Sequence, residues 1–269
     1  MFPIHDNIPS RTTPFVNYSM IAVCALVFLW QLGSEQRGVS QVERYGMIPA
    51  RVLQPEREVV IREPVVVVTR FGPQQEYVKR LAAPSAVPPI LTLLTCVFLH
   101  GSWMHFLGNV WFLHIFGDNV EDRLGHVGYL IFYLGSGIAA SVAHLLTNQG
   151  SDIPTIGASG AIAGVMGAYM CMYPRATVLS VVPIVVFLWT IVLPAPIFLG
   201  IWFALQFFQG VASVTNGPAG GVAWWAHIGG FVVGFVVAKA LDIMHQLNPP
   251  VQQRRIPVDS FGMWRDPRR

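Results

Sequence analysis

Apolar positions along this chain gather into runs long enough to cross hydrocarbon, separated by short polar breaks and one long polar stretch. A spanning helix needs about 20 mostly apolar residues, with about 17 as the lower end. Residues 15–32, 126–146, 156–173 and 222–241 meet that length, and 103–117 and 196–211 are shorter. The run at 103–117 sits in an apolar context that begins at Ile90. Six spans are therefore predicted. The stretch VLSVVPIVVFLWTIVLPAP at 178–196 is greasy enough for a seventh, but Pro183, Pro194 and Pro196 interrupt it. Proline removes a backbone donor, so a segment folded along the membrane face is expected there, over about 178–195.

The pattern predicts an all-α polytopic membrane protein, a six-helix bundle with one long extramembrane insert. Its parts are an N-terminal stretch 1–14, a membrane domain 15–241 with a first loop at about 33–89, and a polar tail 242–269. VVIREPVVVVTRFG in the first loop reads as a hairpin. Composition agrees: 53% of residues are hydrophobic and 12% charged, against about 25% charged in soluble domains. A net charge of +3 gives no reason to expect a nucleic-acid partner. Cys24, Cys96 and Cys171 lack CxxC spacing, and no HExxH occurs, so neither a disulfide framework nor a metal site is expected. The first fifteen residues have no apolar core before a small-residue cleavage site, which argues against a signal or transit peptide. Arg123 and Arg175 lie in short loops on the side of both termini, and the tail adds Arg254, Arg255, Arg265, Arg268 and Arg269. Short-loop positive charge marks the cytoplasmic face, so the termini are expected inside and the first loop outside.

With six alternating spans, the second, fourth and sixth begin on the same outer side. Each beginning carries polar residues: His105 and Asn109 on one face of the second, Ser159 about three residues into the fourth, His227 about one turn into the sixth. Ionisable groups inside a membrane are costly and normally face a cavity or one another. Gly157, Gly160, Gly164 and Gly167 line the fourth span, and Gly230 and Gly234 follow His227; such small-residue faces let helices touch. A serine hydroxyl becomes a nucleophile when a base within about 2.6–3.2 Å takes its proton, and histidine suits that role near neutral pH. The resulting oxyanion needs donors, which the Ser159 and Gly160 amides at a helix start and the His105 and Asn109 side chains are placed to supply. No Asp or Glu lies at this depth, so a dyad is expected rather than a triad.

HGSWMHFLGN, GASG and AHIGGFVVG, in this order and spacing, resemble the rhomboid intramembrane serine proteases. The resemblance covers about residues 90–241 and the first span. It implies that Ser159 is the nucleophile, His227 the general base, His105 and Asn109 oxyanion-stabilising residues, and Gly157 and Gly160 the glycines flanking the serine. It further implies single-span membrane proteins as substrates, no cofactor, and VEDRLG at 120–125 as the cytoplasmic turn after the second span. The chain departs from the family at Ala163, where many members carry an aromatic against the histidine; Trp224 or Phe231 is expected to take over that support. The family's first-loop Trp-Arg pair is also missing.

The remaining histidines read as ordinary polar anchors, with His100 bracing the loop before the second span and His114 facing away from the site. The aromatic fifth span, FLGIWFALQFF, is suited to face lipid, while the resemblance implies a side gate for substrate there, and the Gly-rich residues 213–222 read as a lid. A catalytically silent, client-binding relative would lack the serine or the histidine. A transporter would continue its polar residues to the inner side.

Overall fold

The computed structural model describes residues 1–70, 72–184, 187–216, 222–257 and Trp264. The element order is β1 (Phe2–Asp6), α1 (Phe15–Glu35), α2 (Gln41–Tyr45), α3 (Pro49–Leu53), β2 (Val60–Thr69), β3 (Gly72–Leu81), α4 (Thr92–Thr95), α5 (Trp103–Leu124), α6 (His126–Thr147), α7 (Ser159–Met172), β4 (Thr177–Ile184), β5 (Phe187–Pro194), α8 (Ala195–Asn216) and α9 (Trp224–Ile243). Among the described residues, α1, α6, α8 and α9 are each long and apolar enough to cross a membrane. Pro89–Phe98 and α5 pass that test only as a pair, bent by 77°. α7 has 14 residues, which at 1.5 Å per residue is about 21 Å.

α7 is the axis of the bundle. Gly160 through Tyr169 are all buried, enclosed by α5, α6 and α9. Its closest neighbour is α9, and the reason is steric. A Cβ on Gly230 would stand 2.0 Å from the Gly160 carbonyl oxygen, and one on Gly234 would stand 2.0 Å from that of Gly164. A Cβ on Gly167 would stand 2.1 Å from the Phe231 carbonyl. The two backbones are thus in direct contact over two turns, which only glycine permits. On the α6 side the same helix leaves room for Ala140 and Ser136, whose Cβ atoms would be 2.6 Å from side chains at Gly160 and Gly164.

The second span is longer than its apolar run suggests. VEDRL forms the last turn of α5, and only Gly125, at φ 70°, makes the turn into α6. Glu121, Asp122 and Arg123 are buried there. The Glu121 carboxylate accepts from the Val16 and Asn17 amides at 3.0 and 2.7 Å, capping the start of α1. Asp122 accepts from the Thr12 amide at 3.0 Å. Carboxylates at a helix N-terminus satisfy its orphan donors and suit its dipole, so this acidic pair locks α1 to α5.

In the stretch expected to fold along the membrane face, β4 and β5 pair antiparallel, with Thr177 opposite Pro194 and Ile184 opposite Phe187. Pro183 is tolerated in β4 because β1 pairs with that strand only as far as Val181, so Pro183, opposite Leu188 of β5, has one edge outside the ladder. The stretch before the first span, expected as a terminal tail, supplies β1 and completes a sheet of order β1-β4-β5. The Tyr169 hydroxyl near the C-terminal end of α7 donates to the Asp6 carboxylate. Burial pushes the Asp6 carboxyl up to about 7, against the pull of that bond. Asn7 exchanges two hydrogen bonds with the Arg254 backbone, tying the tail to the same sheet. Arg265, Arg268 and Arg269 lie outside the described residues.

In the first loop, β2 and β3 form an antiparallel hairpin over Val60–Thr69 and Gly72–Leu81. Within the loop, Glu43 on α2, 5% exposed, ties that helix to β3: its carboxylate pairs with Arg80 at 2.6 Å and accepts from the Ala83 amide. Met47 and Thr155 exchange backbone hydrogen bonds of 3.0 and 2.8 Å, fixing the approach to α7.

The glycine contact yields the first prediction. Gly234→Ala should destabilise the protein by about 1–3 kcal/mol, the usual cost of overpacking, because a backbone carbonyl cannot step aside. Gly135→Ala, at a position with open space around it, should leave the thermal unfolding midpoint in detergent unchanged or slightly raised. Equal midpoints for the two variants would refute direct backbone contact.

Candidate active site

Ser159 is the first residue of α7, not a position about three residues into a helix starting at Ile156. The difference lies in Gly157, whose φ of 125° is outside helical space and open to glycine. Its amide donates to the Cys96 carbonyl at 2.9 Å, which holds the approach to α7 against the end of the bent pair's first half. A Cβ at Gly157 would lie 2.7 Å from the His105 ring and 3.4 Å from Ser159 Oγ. The glycine before the serine therefore makes room for His105 beside the hydroxyl.

Across the glycine contact, His227 on α9 places Nε2 2.7 Å from Ser159 Oγ. His227 Nδ1 lies 2.7 Å from Oε1 of Gln206 on α8. The His227 ring is 9% exposed. It is flanked by Trp202 (centroids 5.9 Å apart, 35° between planes) and edge-on by Trp224 (6.2 Å, 87°). Of the two aromatics expected to replace the residue absent at Ala163, Trp224 touches the ring. Phe231 instead packs on Trp202 and Phe203, at 6.1 and 4.8 Å between centroids.

Two further groups come from the start of α5. Ser102 caps that helix by accepting from the His105 amide at 3.2 Å. The Gly101 amide donates to His105 Nδ1 at 3.5 Å, so in the neutral ring the proton sits on Nε2. Asn109, one turn further, is 8% exposed, and its Nδ2 is a buried donor without a hydrogen-bond partner. Buried donors are normally satisfied, and an unsatisfied one facing a cavity is available to an acceptor placed there.

These groups share a cavity of about 530 Å³, lined by His105, Asn109, Ser159, Trp202, Gln206 and His227 among others. The starts of α5, α7 and α9 thus converge at one level. His100 stands outside this set: its backbone exchanges hydrogen bonds with the Gln31 amide at 3.0 and 3.2 Å, bracing α1 to the loop. His114 stacks on Tyr18, away from the cavity. Residues 217–221 of the expected lid lie outside the described residues. Among the described residues no group of three or more His, Cys, Asp or Glu is arranged to hold a metal ion.

Gln206 was not legible as a site residue, because FLGIWFALQFF reads as an aromatic lipid-facing helix. The available signal was a lone amide inside an apolar span, which would be expensive facing lipid.

The Rhomboid domain family model matches residues 89–242. The chain is 27% identical to Rhomboid protein 1, mitochondrial, of Saccharomyces cerevisiae over 188 residues, 65% of this chain and 47% of that one. It is 33% identical to Rhomboid protease GluP of Bacillus subtilis over 153 residues, 56% and 34% of the two chains. The putative rhomboid protease YdcA of Bacillus subtilis matches at 36% over 80 residues, 30% and 40%. The chain spans less than half the length of each of these relatives. A domain match over more than half the chain, together with apolar spanning helices, identifies this protein as a multi-pass membrane protein of the rhomboid family.

Proposed function

We propose that this protein is an intramembrane serine endopeptidase that cleaves transmembrane-helix substrates near the outer membrane face. The observation that carries the reading is the 2.7 Å approach of Ser159 Oγ to His227 Nε2 at the cavity, with the unpartnered Asn109 donor in the same wall. In this reading α1, α5, α6, α7, α8 and α9 each cross the bilayer, the termini are cytoplasmic, and the protein resides in the cell membrane.

His227 Nε2 accepts the Ser159 proton as Oγ bonds to the scissile carbonyl carbon. The oxyanion takes hydrogen bonds from Asn109 Nδ2, His105 Nε2–H and the Ser159 and Gly160 amides. The imidazolium then gives its Nε2 proton to the leaving amine as the C–N bond breaks. Water attacks the ester, passing a proton back through His227 to Ser159 as the C–Oγ bond breaks. Both proton transfers pass through His227 Nε2: the serine proton goes to the leaving amine, and a proton from water restores the Ser159 hydroxyl.

The depth of the serine fits this chemistry. α7 is about 21 Å long against roughly 30 Å of hydrocarbon, so a serine at its first residue sits below the outer edge. The cavity supplies water from that side, and the apolar, glycine-packed remainder of α7 seals the other.

Cleavage of a single-span reporter in proteoliposomes tests the reading. Ser159→Ala and His227→Ala should each abolish cleavage with the protein still inserted, and the double variant should be no worse, since a unit lost is lost once. Robust cleavage by Ser159→Ala, as from another nucleophile, would end the proposal, and a clearly additive double variant would separate the two residues.

His105→Ala and Asn109→Ala should each lower kcat by roughly 10²–10³ at most, the scale of one oxyanion donor. A residue whose loss leaves kcat untouched does not belong to the oxyanion site.

A further inference from the structure

The pair Ser159–His227 has a third member on a helix that carries neither of them. His227 uses Nε2 toward Ser159 at 2.7 Å, and its other ring nitrogen faces Gln206 Oε1 at the same distance. A neutral imidazole has one N–H and one lone pair. An amide oxygen only accepts, so Gln206 Oε1 holds the proton on Nδ1 and leaves the Nε2 lone pair for the Ser159 hydroxyl. Turned the other way, the amide would present N–H groups to Nδ1, move the ring proton to Nε2 and leave no base beside Ser159. The choice of tautomer is therefore made by the orientation of one neutral side chain.

Gln206 also fixes the ring in space. The Trp202 and Trp224 rings bound the imidazole from the side, yet neither can stop it turning in its own plane; a hydrogen bond at Nδ1 can. Gln206 is mounted on α8, whose two halves differ. Phe198 and Leu199 near its start are buried, whereas Leu205, Phe207, Phe208 and Val211 around and beyond Gln206 are exposed. The helix meets α9 on both sides of Gln206, through Trp202 and Phe203 against Phe231 and through Gly210, where a Cβ would stand 3.1 Å from Ile228, and at the level of the site its polar tie to α9 is the Gln206–His227 bond.

We infer that Gln206 is the positioning residue of this active site, setting the tautomer and orientation of His227 and making the position of α8 a condition for a competent base. The inference rests on the Ser159–His227 reading proposed above.

The test compares Gln206→Leu, which removes the acceptor, with Gln206→Glu, which keeps an acceptor of the same length. Both are made in the full chain and assayed on the single-span reporter in proteoliposomes. Outer partners that orient metal-bound histidines contribute about 10–100-fold; with the same orienting role on this ring, Gln206→Leu should lower kcat on that scale with KM little changed. Gln206→Glu should restore most of it. A packing role alone would give equal losses in both variants and would appear in KM and in thermal stability. Fluorophosphonate labelling, which needs the base but not a transmembrane substrate, should slow in Gln206→Leu and recover in Gln206→Glu. Wild-type kcat and labelling in Gln206→Leu would overturn the inference, as would equal losses in the two variants. The two readings fail separately. An inactive Ser159→Ala beside a fully active Gln206→Leu refutes only the role of Gln206, whereas an active Ser159→Ala refutes the chemistry beneath both.

Discussion

Everything at this site depends on two helices touching through their backbones. Ser159 and His227 sit on α7 and α9, so the separation and register of these two helices set the distance between the two side chains. Gly160 beneath Gly230 and Gly164 beneath Gly234 remove the Cβ atoms that would hold the helices apart. In lipid this contact gains nothing from the hydrophobic effect and relies on close packing. The stripe of small residues is thus the mechanical basis of the 2.7 Å hydrogen bond.

A second constraint is the length of α7. A helix of 14 residues cannot reach both faces of a bilayer, so the elements around it must hold it at depth. The Met47–Thr155 bridge and the Gly157–Cys96 bond fix the end that carries Ser159. The Tyr169–Asp6 bond and the β1-β4-β5 sheet fix the opposite end. The long first loop, tied together by Glu43 and Arg80, contributes Met47 to the clamp at the Ser159 end. Polar structure at both ends therefore determines where the serine lies.

Most helices were legible because each is a long apolar run, and the four polar site residues because lipid makes polarity conspicuous. Where the sequence misled, the rule used was blind to a specific interaction. The run at 156–173 is continuously apolar, so hydropathy does not see that Gly157 takes φ 125° and delays the helix to Ser159. Residues 178–196 look helical or irregular by hydropathy, while their β-branched content suits strands, and their partner, Phe2–Asp6, lies far away in sequence. VEDRLG reads as a turn by the family resemblance; here VEDRL continues α5, and the buried Glu121 carboxylate caps α1. Gln206 was hidden among aromatics because only the three-dimensional packing of α8 on α9 turns it toward His227.

The account's central claim is that the glycine-packed helices present Ser159 as an activated nucleophile. Fluorophosphonate labelling of the detergent-solubilised protein, with the adduct mapped by peptide mass, tests it most directly. A single adduct on Ser159, lost when His227 is changed to alanine, is the predicted result. An adduct on another serine, or undiminished labelling of Ser159 without His227, would contradict the account.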